Sequence, residues 1–303
     1  MDCHQEYNLL LQKYFETRLD LIEKSLKHYL GTQTQPAKEL KKAMHYAVFS
    51  GGKRWRPLLL LAIYEMLAGK QSKKGLAEAV KAATAIELAH NAALVHNDLP
   101  MLMNKAERRS KQALHLKFDN AVGILAGDAL YTLAFEILGE IVPPSKSLAC
   151  TRILSISTRS YGLIGGQAVE LESKHRQMKL NILRYIDLKK ICSLLQAASD
   201  MACVLAGADE NIRQIMNTYA QNLGLAFQMI ENISADYNRG SEGLDFDEEF
   251  VPKSKNSYTA FLGFDKARQA VEEMLDESER MIVPFDSKEV LFEFIQMIKE
   301  HLP

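Results

Sequence analysis

Residues 75–98 have the sequence GLAEAVKAATAIELAHNAALVHND. It is rich in alanine and apolar on most of its faces, which is typical of a helix buried on several sides. Residues 118–139, FDNAVGILAGDALYTLAFEILG, mix small and large apolar side chains in the same way. Because small side chains let helices approach closely, the sequence predicts that both stretches lie at a packed helical centre.

The rest of the chain also shows helical periodicity. The 16 glycines and 8 prolines among 303 residues are few, and there is no run of alternating strands and no internal repeat. Further helices are predicted at 6–30, 38–49, 56–69, and near 146–175, 181–206, 209–234, 258–280 and 287–301. The sequence therefore predicts an all-α bundle of many helices in a single domain, 1–303, with a polar loop at 237–255 as a candidate mobile lid.

Charge and composition exclude several classes of protein. The 37 lysines and arginines balance 38 acids to a net charge of -1, which argues against a nucleic-acid-binding surface. The N-terminus lacks the apolar core of a signal peptide, and no uncharged run approaches the ~18 residues of a membrane span. Cys3, Cys150, Cys192 and Cys203 show no metal-ligand spacing, which predicts free thiols. We expect a soluble, cytoplasmic protein.

The clearest local motif is GGKRWRP at residues 51–57. Two glycines end one helix and Pro57 opens the next, and Lys53, Arg54 and Arg56 cluster between them. Amides at a helix N-terminus together with guanidinium groups suit a diphosphate. A basic helix start without a ligand is the alternative.

Four more stretches follow in order, at 87–110, 117–130, 162–173 and 224–232, and they include ILAGDAL, GLIGGQ and GLAFQ. Together with GGKRWRP they resemble the trans-isoprenyl diphosphate synthases, the short-chain bacterial branch in particular, over about residues 38 to 270. The resemblance implies the isoprenoid synthase fold, with helices around a central cleft. It also implies condensation of isopentenyl diphosphate with an allylic diphosphate, Mg²⁺ held by two aspartate-rich motifs, and a dimer to which helix 118–139 is suited.

The first aspartate-rich motif is degenerate. Where the family has a DDLPxMD-type string, this chain has Asn97, Asp98 and, at the distal acid, Met103. An amide offers only a neutral carbonyl, and a thioether is a poor ligand for Mg²⁺. Only Asp98 remains as a candidate metal ligand in this motif.

The second motif is degenerate as well. Where the family has FQIxDDxxD, Glu231, Asn232 and Ala235 occupy the three acidic positions. Asp236 lies one residue too far, about 100° around a helix. Glu231 is therefore the one candidate ligand left at the acidic positions of the second motif, and we expect Mg²⁺ binding to be weak or absent.

The diphosphate-binding half of the family pattern is kept. By resemblance, these positions are Gly52, Lys53, Arg56, His90, Arg108, Arg109, Lys190 and Gln228. Lys190 has Ile191 and Cys192 where the family has threonine and glycine, and Lys253 or Lys255 could supply a late loop lysine. Solvated surface charge, or a core histidine for His90, is the alternative for each.

Ala92 and Ala93 precede the first motif, where large side chains in the family close the elongation pocket. Two alanines imply a pocket for a tail of geranylgeranyl size or beyond; ordinary helix packing is the alternative.

Three hypotheses follow from retained cations and lost acids. The first is a non-catalytic member that binds isopentenyl or allylic prenyl diphosphate, as a homodimer or as the partner subunit of an active synthase. The second is an active prenyltransferase with a metal site reduced to Asp98 and Glu231. The third is a scaffold protein that no longer uses the cleft. The first is favoured, because a cleft without a ligand has no physical reason to collect so many cations.

Overall fold

The computed structural model describes the backbone of residues 3–31, 36–174, 176–240 and 254–303, and the side chains of 12–31, 36–174, 176–236 and 254–303. Over these residues the chain is helical, as predicted. The helices are α1 Cys3–Gly31, α2 Lys38–Phe49, α3 Trp55–Ala68, α4 Ser72–Asp98, α5 Leu114–Lys117, α6 Asn120–Gly139, α7 Pro144–Thr158, α8 Leu163–Ser173, α9 Leu180–Asp187, α10 Ser193–Ala206, α11 Glu210–Gly240, α12 Tyr258–Leu262, α13 Phe264–Ile282 and α14 Glu289–Lys299. A 3-10 turn, Gly69–Gln71, follows α3, and a π-helical turn, Leu188–Cys192, joins α9 to α10.

Three of the predicted helices are interrupted. The stretch 146–175 is two helices, because residues 159–162 leave the helical path before α8 begins. The stretch 181–206 contains the π-helical turn, and 258–280 is broken at Gly263, whose φ of 81° suits glycine. A hairpin that was not predicted follows α4, and in it β1 Glu107–Arg108 pairs antiparallel with β2 Lys111–Gln112. The predicted lid at 237–255 lies mostly outside the described residues.

The chain forms two compact units. The first comprises residues 1–154 and 201–208, and the second comprises 155–200 and 209–303. A single domain over 1–303 stays a prediction.

In the first unit, α4 lies at the centre and packs most extensively against α6 and α3. Its fully buried alanines include Ala79, Ala82, Ala83, Ala85 and Ala89. On α6, Gly127 leaves room for the His96 ring of α4, whose Nε2 lies 3.1 Å from the carbonyl oxygen of Ile124. The stretches 75–98 and 118–139 therefore pack against each other at the centre of this unit, and their predicted place in a packed helical centre is confirmed.

In the second unit, α11 packs against α13, the π-helical turn, α12 and α14. The hydroxyl of the buried Tyr219 donates to the carbonyl oxygen of Leu291, at 2.6 Å. The close contact between α11 and the π-helical turn depends on Gly224, where a Cβ would lie 2.8 Å from Leu195 Cδ1 and 3.0 Å from Cys192 Sγ.

The cysteine prediction is confirmed where side chains are described, since Cys150, Cys192 and Cys203 are buried thiols outside any disulfide. The side chain of Cys3 lies outside that part. Among the described helices, Asn120–Gly139 alone is long and apolar enough to cross a membrane, with a mean hydropathy of 1.6 over its most apolar window. A core helix of a soluble protein passes the same test, so this is weak evidence for a span.

Candidate diphosphate site

The glycine-rich loop between α2 and α3 is held by Arg54. Gly51 and Gly52 have φ of 111° and 121°, which suit glycine, and Arg54 itself has φ of 52°. Its buried guanidinium donates to Glu87 Oε1 at 2.8 Å, to Glu23 Oε1 at 2.9 Å and to the Val48 carbonyl oxygen at 2.6 Å. Arg54 belongs to the basic cluster of GGKRWRP but not to the predicted diphosphate-binding positions, and its guanidinium turns inwards to the carboxylate of Glu87, buried on α4.

Arg109 is fixed against the same loop. It donates to the carbonyl oxygen of Gly51 and to Asn91 Oδ1, the latter at 3.2 Å, and Asn91 in turn donates to Glu87 Oε1 at 2.9 Å. The guanidinium lies on Gly52, where a Cβ would be 2.7 Å from Arg109 Cζ. Gly52 therefore leaves the space in which Arg109 lies.

Sequence reasoning missed Glu87 and Asn91. Both are buried on α4, at 2% and 1% exposed, and they connect Arg54 to Arg109. The available signal was a pair of polar residues at i and i+4 within the alanine-rich part of a helix.

The structure brings Arg56 and His90 together. Arg56 Nη1 lies 3.3 Å from His90 Nε2. Burial, and then the neighbouring Arg56 and Arg109, hold the pKa of His90 well below its usual range. His90 is therefore neutral at physiological pH, and its Nε2 can accept from Arg56. Lys53, the third cation predicted at this loop, is exposed.

Arg108 is paired with the surviving acid of the first motif. Its Nε donates to Asp98 Oδ2 at 3.0 Å and its Nη2 donates to Asp98 Oδ1 at 2.5 Å. The Asp98 side chain is 5% exposed and that of Arg108 is 28% exposed. Both oxygens of this carboxylate are thus engaged by a guanidinium in a bidentate ion pair.

The residues of the first motif offer a magnesium ion one carboxylate. Mg²⁺ prefers anionic oxygen ligands, and the only carboxylate at positions 97, 98 and 103 is the one paired with Arg108. Asn97 is buried at the end of α4. Within the described ranges, no group of three or more histidine, cysteine, aspartate or glutamate side chains could hold a metal ion.

The second motif lies on α11 and offers Glu231, which is exposed. The amide of Asn232 donates back to the carbonyl oxygen of Gln228 at 3.0 Å, and Ala235 brings no ligand. Asp236 is buried and accepts hydrogen bonds from Thr259 Oγ1 and, at 3.3 Å, from Ser257 Oγ. Asp236 therefore holds the start of α12 and does not replace the missing acid.

Lys190, the predicted diphosphate-binding lysine of the second unit, lies in the π-helical turn. Its Nζ is 2.5 Å from Glu170 Oε2, and the two side chains are 20% and 29% exposed. Glu170 also accepts from Gln167 Nε2 at 3.1 Å. Lys190 is thus ion-paired within its own unit.

The residue just before the same turn is a buried acid, Asp187, which accepts from the hydroxyl of Tyr258 at 2.8 Å. Burial raises the pKa of Asp187 to about 6, against the opposing effect of that hydrogen bond. Between pH 4 and pH 6 the folded chain therefore binds a proton that the unfolded chain has lost, so stability falls as pH rises through this window.

We expect Asp187→Asn to remove this dependence, because the amide keeps an acceptor for Tyr258 and carries no charge. Relative to the parent, the variant should gain about 2 kcal/mol of unfolding free energy between pH 4.5 and pH 7.5. Urea unfolding at the two pH values measures this, with the exposed Asp265→Asn as control. Parallel pH profiles for Asp187→Asn and the parent would contradict it.

The predicted pocket residues Ala92 and Ala93 lie on α4, Ala92 fully buried and Ala93 partly buried. Their role in chain length stays a prediction. Lys253 lies outside the described residues, and Lys255 is exposed.

Comparison with known proteins places the chain in a family. The polyprenyl synthetase family model matches residues 37–245. The farnesyl diphosphate synthase of Geobacillus stearothermophilus is 37% identical over 229 residues, which cover 74% of this chain and 75% of that protein. The heterodimeric geranylgeranyl pyrophosphate synthase large subunit 1 of Arabidopsis thaliana is 30% identical, over 91% of this chain and 75% of that protein.

Among solved structures, an FPP/GFPP synthase from Zymomonas mobilis superposes with a TM-score of 0.83 at 27% identity, and covers 96% of this chain and 99% of that one. The fold and the retained motifs together define a trans-prenyl synthase of the short-chain type. The chain belongs to the polyprenyl synthetase family, and the predicted isoprenoid synthase fold is confirmed.

Proposed function

We propose that this chain binds isopentenyl diphosphate or an allylic prenyl diphosphate through its basic groups, and has little or no turnover by itself. The observation that carries the proposal is the state of the remaining acids. Asp98 is paired with Arg108 and Asp236 is buried against Thr259, while Arg56 and Arg109 border the glycine loop. Guanidinium groups bind phosphate oxygens in bidentate geometry without a metal.

We expect weak turnover because of the negative charge that the leaving diphosphate carries. Ionisation of an allylic diphosphate leaves about three negative charges on the departing group, which the family neutralises with a metal cluster. Loss of one such electrostatic partner costs about 3–4 kcal/mol of transition-state stabilisation, or more than two decades of rate. Four acidic positions are changed in this chain, at 97, 103, 232 and 235.

An active prenyltransferase with a reduced metal site is the second candidate. It is favoured by the names of the relatives, which are farnesyl and geranylgeranyl diphosphate synthases, and by the exposed carboxylate of Glu231. In that case Ala92 and Ala93 would leave room for a tail of geranylgeranyl size or beyond.

We also propose that the chain assembles in the cytoplasm as a homodimer, or with an active synthase. Support for a homodimer comes from α6, whose Ile124 and Leu125 side chains are 41% and 54% exposed. Support for a heteromer comes from the Arabidopsis relative, whose name is that of a heterodimer's large subunit.

Product analysis separates the two candidates. The purified chain receives isopentenyl diphosphate, Mg²⁺ and each allylic diphosphate in turn, with the Geobacillus farnesyl diphosphate synthase as positive control. We expect no product above the enzyme-free background, and calorimetry on the same preparation should still detect isopentenyl diphosphate in EDTA. Turnover by the pure chain would establish the second candidate; absence of both turnover and binding would favour the scaffold hypothesis.

A further inference from the structure

The two side chains of the Asp98–Arg108 ion pair are buried to different extents. The carboxylate is almost entirely enclosed, whereas the guanidinium of Arg108 keeps more than a quarter of its side-chain surface exposed. A solute that approaches this end of α4 therefore meets the arginine first. Two of its nitrogens point at Asp98, and Nη1, which has no acceptor among the described residues, can reach an outside one.

Backbone hydrogen bonds fix the chain between Asp98 and Arg108. After α4 the chain turns back, and the amides of Met103, Asn104 and Lys105 donate to the carbonyl oxygens of residues 97, 99 and 98 at 3.0–3.2 Å. Asn104 and Arg109 have φ of 47° and 54°, which close the turns on either side of β1. Arg108 is placed on β1 within reach of Asp98, and Arg109, the next residue, packs against the glycine-rich loop.

We propose that Asp98 is a positioning residue, which fixes Arg108 as a resident donor for phosphate oxygens at the place where the family motif would hold a metal ion. The inference rests on the proposed function, namely diphosphate binding, and assigns one part of that site. The pair itself is neutral, so its contribution is orientation: it removes the freedom of a long side chain before a ligand arrives. Arg109 supplies the adjacent net positive charge.

The two possible roles of Asp98 make opposite predictions in EDTA. A positioning residue matters without any metal, whereas a metal ligand matters only when metal is present. Inorganic diphosphate is titrated into the parent chain, Asp98→Asn and Arg108→Met by calorimetry, once in EDTA and once in Mg²⁺. Asp20→Asn, in an exposed ion pair with Lys24, is the matched control.

We expect the parent chain to bind in EDTA. Asp98→Asn and Arg108→Met should each weaken binding about tenfold, the effect of one charge-assisted hydrogen bond. The loss should be the same in EDTA and in Mg²⁺, and the double variant should bind no more weakly than Arg108→Met, because both act through one group. Circular dichroism verifies the fold of each variant, and Arg108→Met gives an independent reading should Asp98→Asn not fold.

Asp98→Asn with parental affinity in EDTA would overturn the inference and leave the proposed function intact. A loss confined to Mg²⁺ would make Asp98 a metal ligand. A parent chain that does not bind diphosphate in EDTA would instead refute the proposed metal-independent site, and with it the role of Arg108 as a phosphate donor.

Discussion

Arg54→Met is expected to lower the free energy of unfolding by about 3–5 kcal/mol. The guanidinium is 3% exposed and donates to the carboxylates of Glu23 and Glu87 and to two backbone carbonyl oxygens, of Val48 and Gly51. Methionine keeps much of the volume but none of the donors. The Glu87 carboxylate, also 3% exposed, is then left buried without its cation, and an uncompensated buried charge is among the costliest of single defects.

Urea unfolding measures the loss, and two further variants locate its cause. Lys24→Met breaks an ion pair whose side chains are 71% and 56% exposed, and should change stability by less than about 1 kcal/mol. In Arg54→Met/Glu87→Met the unpaired charge is gone, so the double variant should recover part of the loss. Equal stability of Arg54→Met and Lys24→Met would show that the buried pair is not what holds the loop.

The partner of Arg54 is a feature of the site that the sequence does not predict. Its place in GGKRWRP predicts a basic group near a diphosphate, and this stays the proposal for Arg56, which lies beside His90. Which of the neighbouring cations turns inwards depends on Glu87, which is 33 residues away in the chain. Helical periodicity predicts that Glu87 lies in a helix, but not which buried cation meets it.

In the two acidic motifs too, the sequence predicts which residues are candidates, but not which partners they have. The sequence has Asn, Met, Asn and Ala at 97, 103, 232 and 235, where the family resemblance predicts acids. That Asp98 pairs with Arg108 depends on a hairpin of two-residue strands, too short for any alternation of polar and apolar residues. That Asp236 is bonded to Thr259 depends on a contact across 23 residues. The family resemblance predicted candidate ligands, and only the contacts show which carboxylates are engaged.

The interruption between α7 and α8 was missed for a different reason. Residues 146–175 carry helical periodicity on both sides of the break, and the glycines of GLIGGQ were attributed to a family motif. Their steric role becomes visible only in three dimensions. A Cβ at Gly166 would lie 2.8 Å from Lys189 Cβ and 2.9 Å from Lys190 N, so this glycine lets α8 approach the π-helical turn that carries Lys190.

Gly165→Ala is the second substitution from which we expect a large effect. It should lower the free energy of unfolding by about 3 kcal/mol, which is at the upper end of the range for overpacking. Gly165 is buried in the first turn of α8, and a Cβ there would overlap the carbonyl oxygen of Ser160. A flexible side chain could rotate away from the new methyl group. A backbone carbonyl cannot, so α8 must shift as a body and carry Glu170 away from Lys190.

Gly139→Ala is the matched control for this substitution. Gly139 is the last residue of α6, and a Cβ there meets no atom within 4 Å. The added methyl group should raise stability by about 0.5–1 kcal/mol, because alanine restricts the unfolded chain more than glycine does. Thermal and urea unfolding of the two variants thus compare the same chemical change with opposite expected signs. Equal stability of the two would mean that the turn at residues 159–162 yields easily, and that Gly165 is not required at the start of α8.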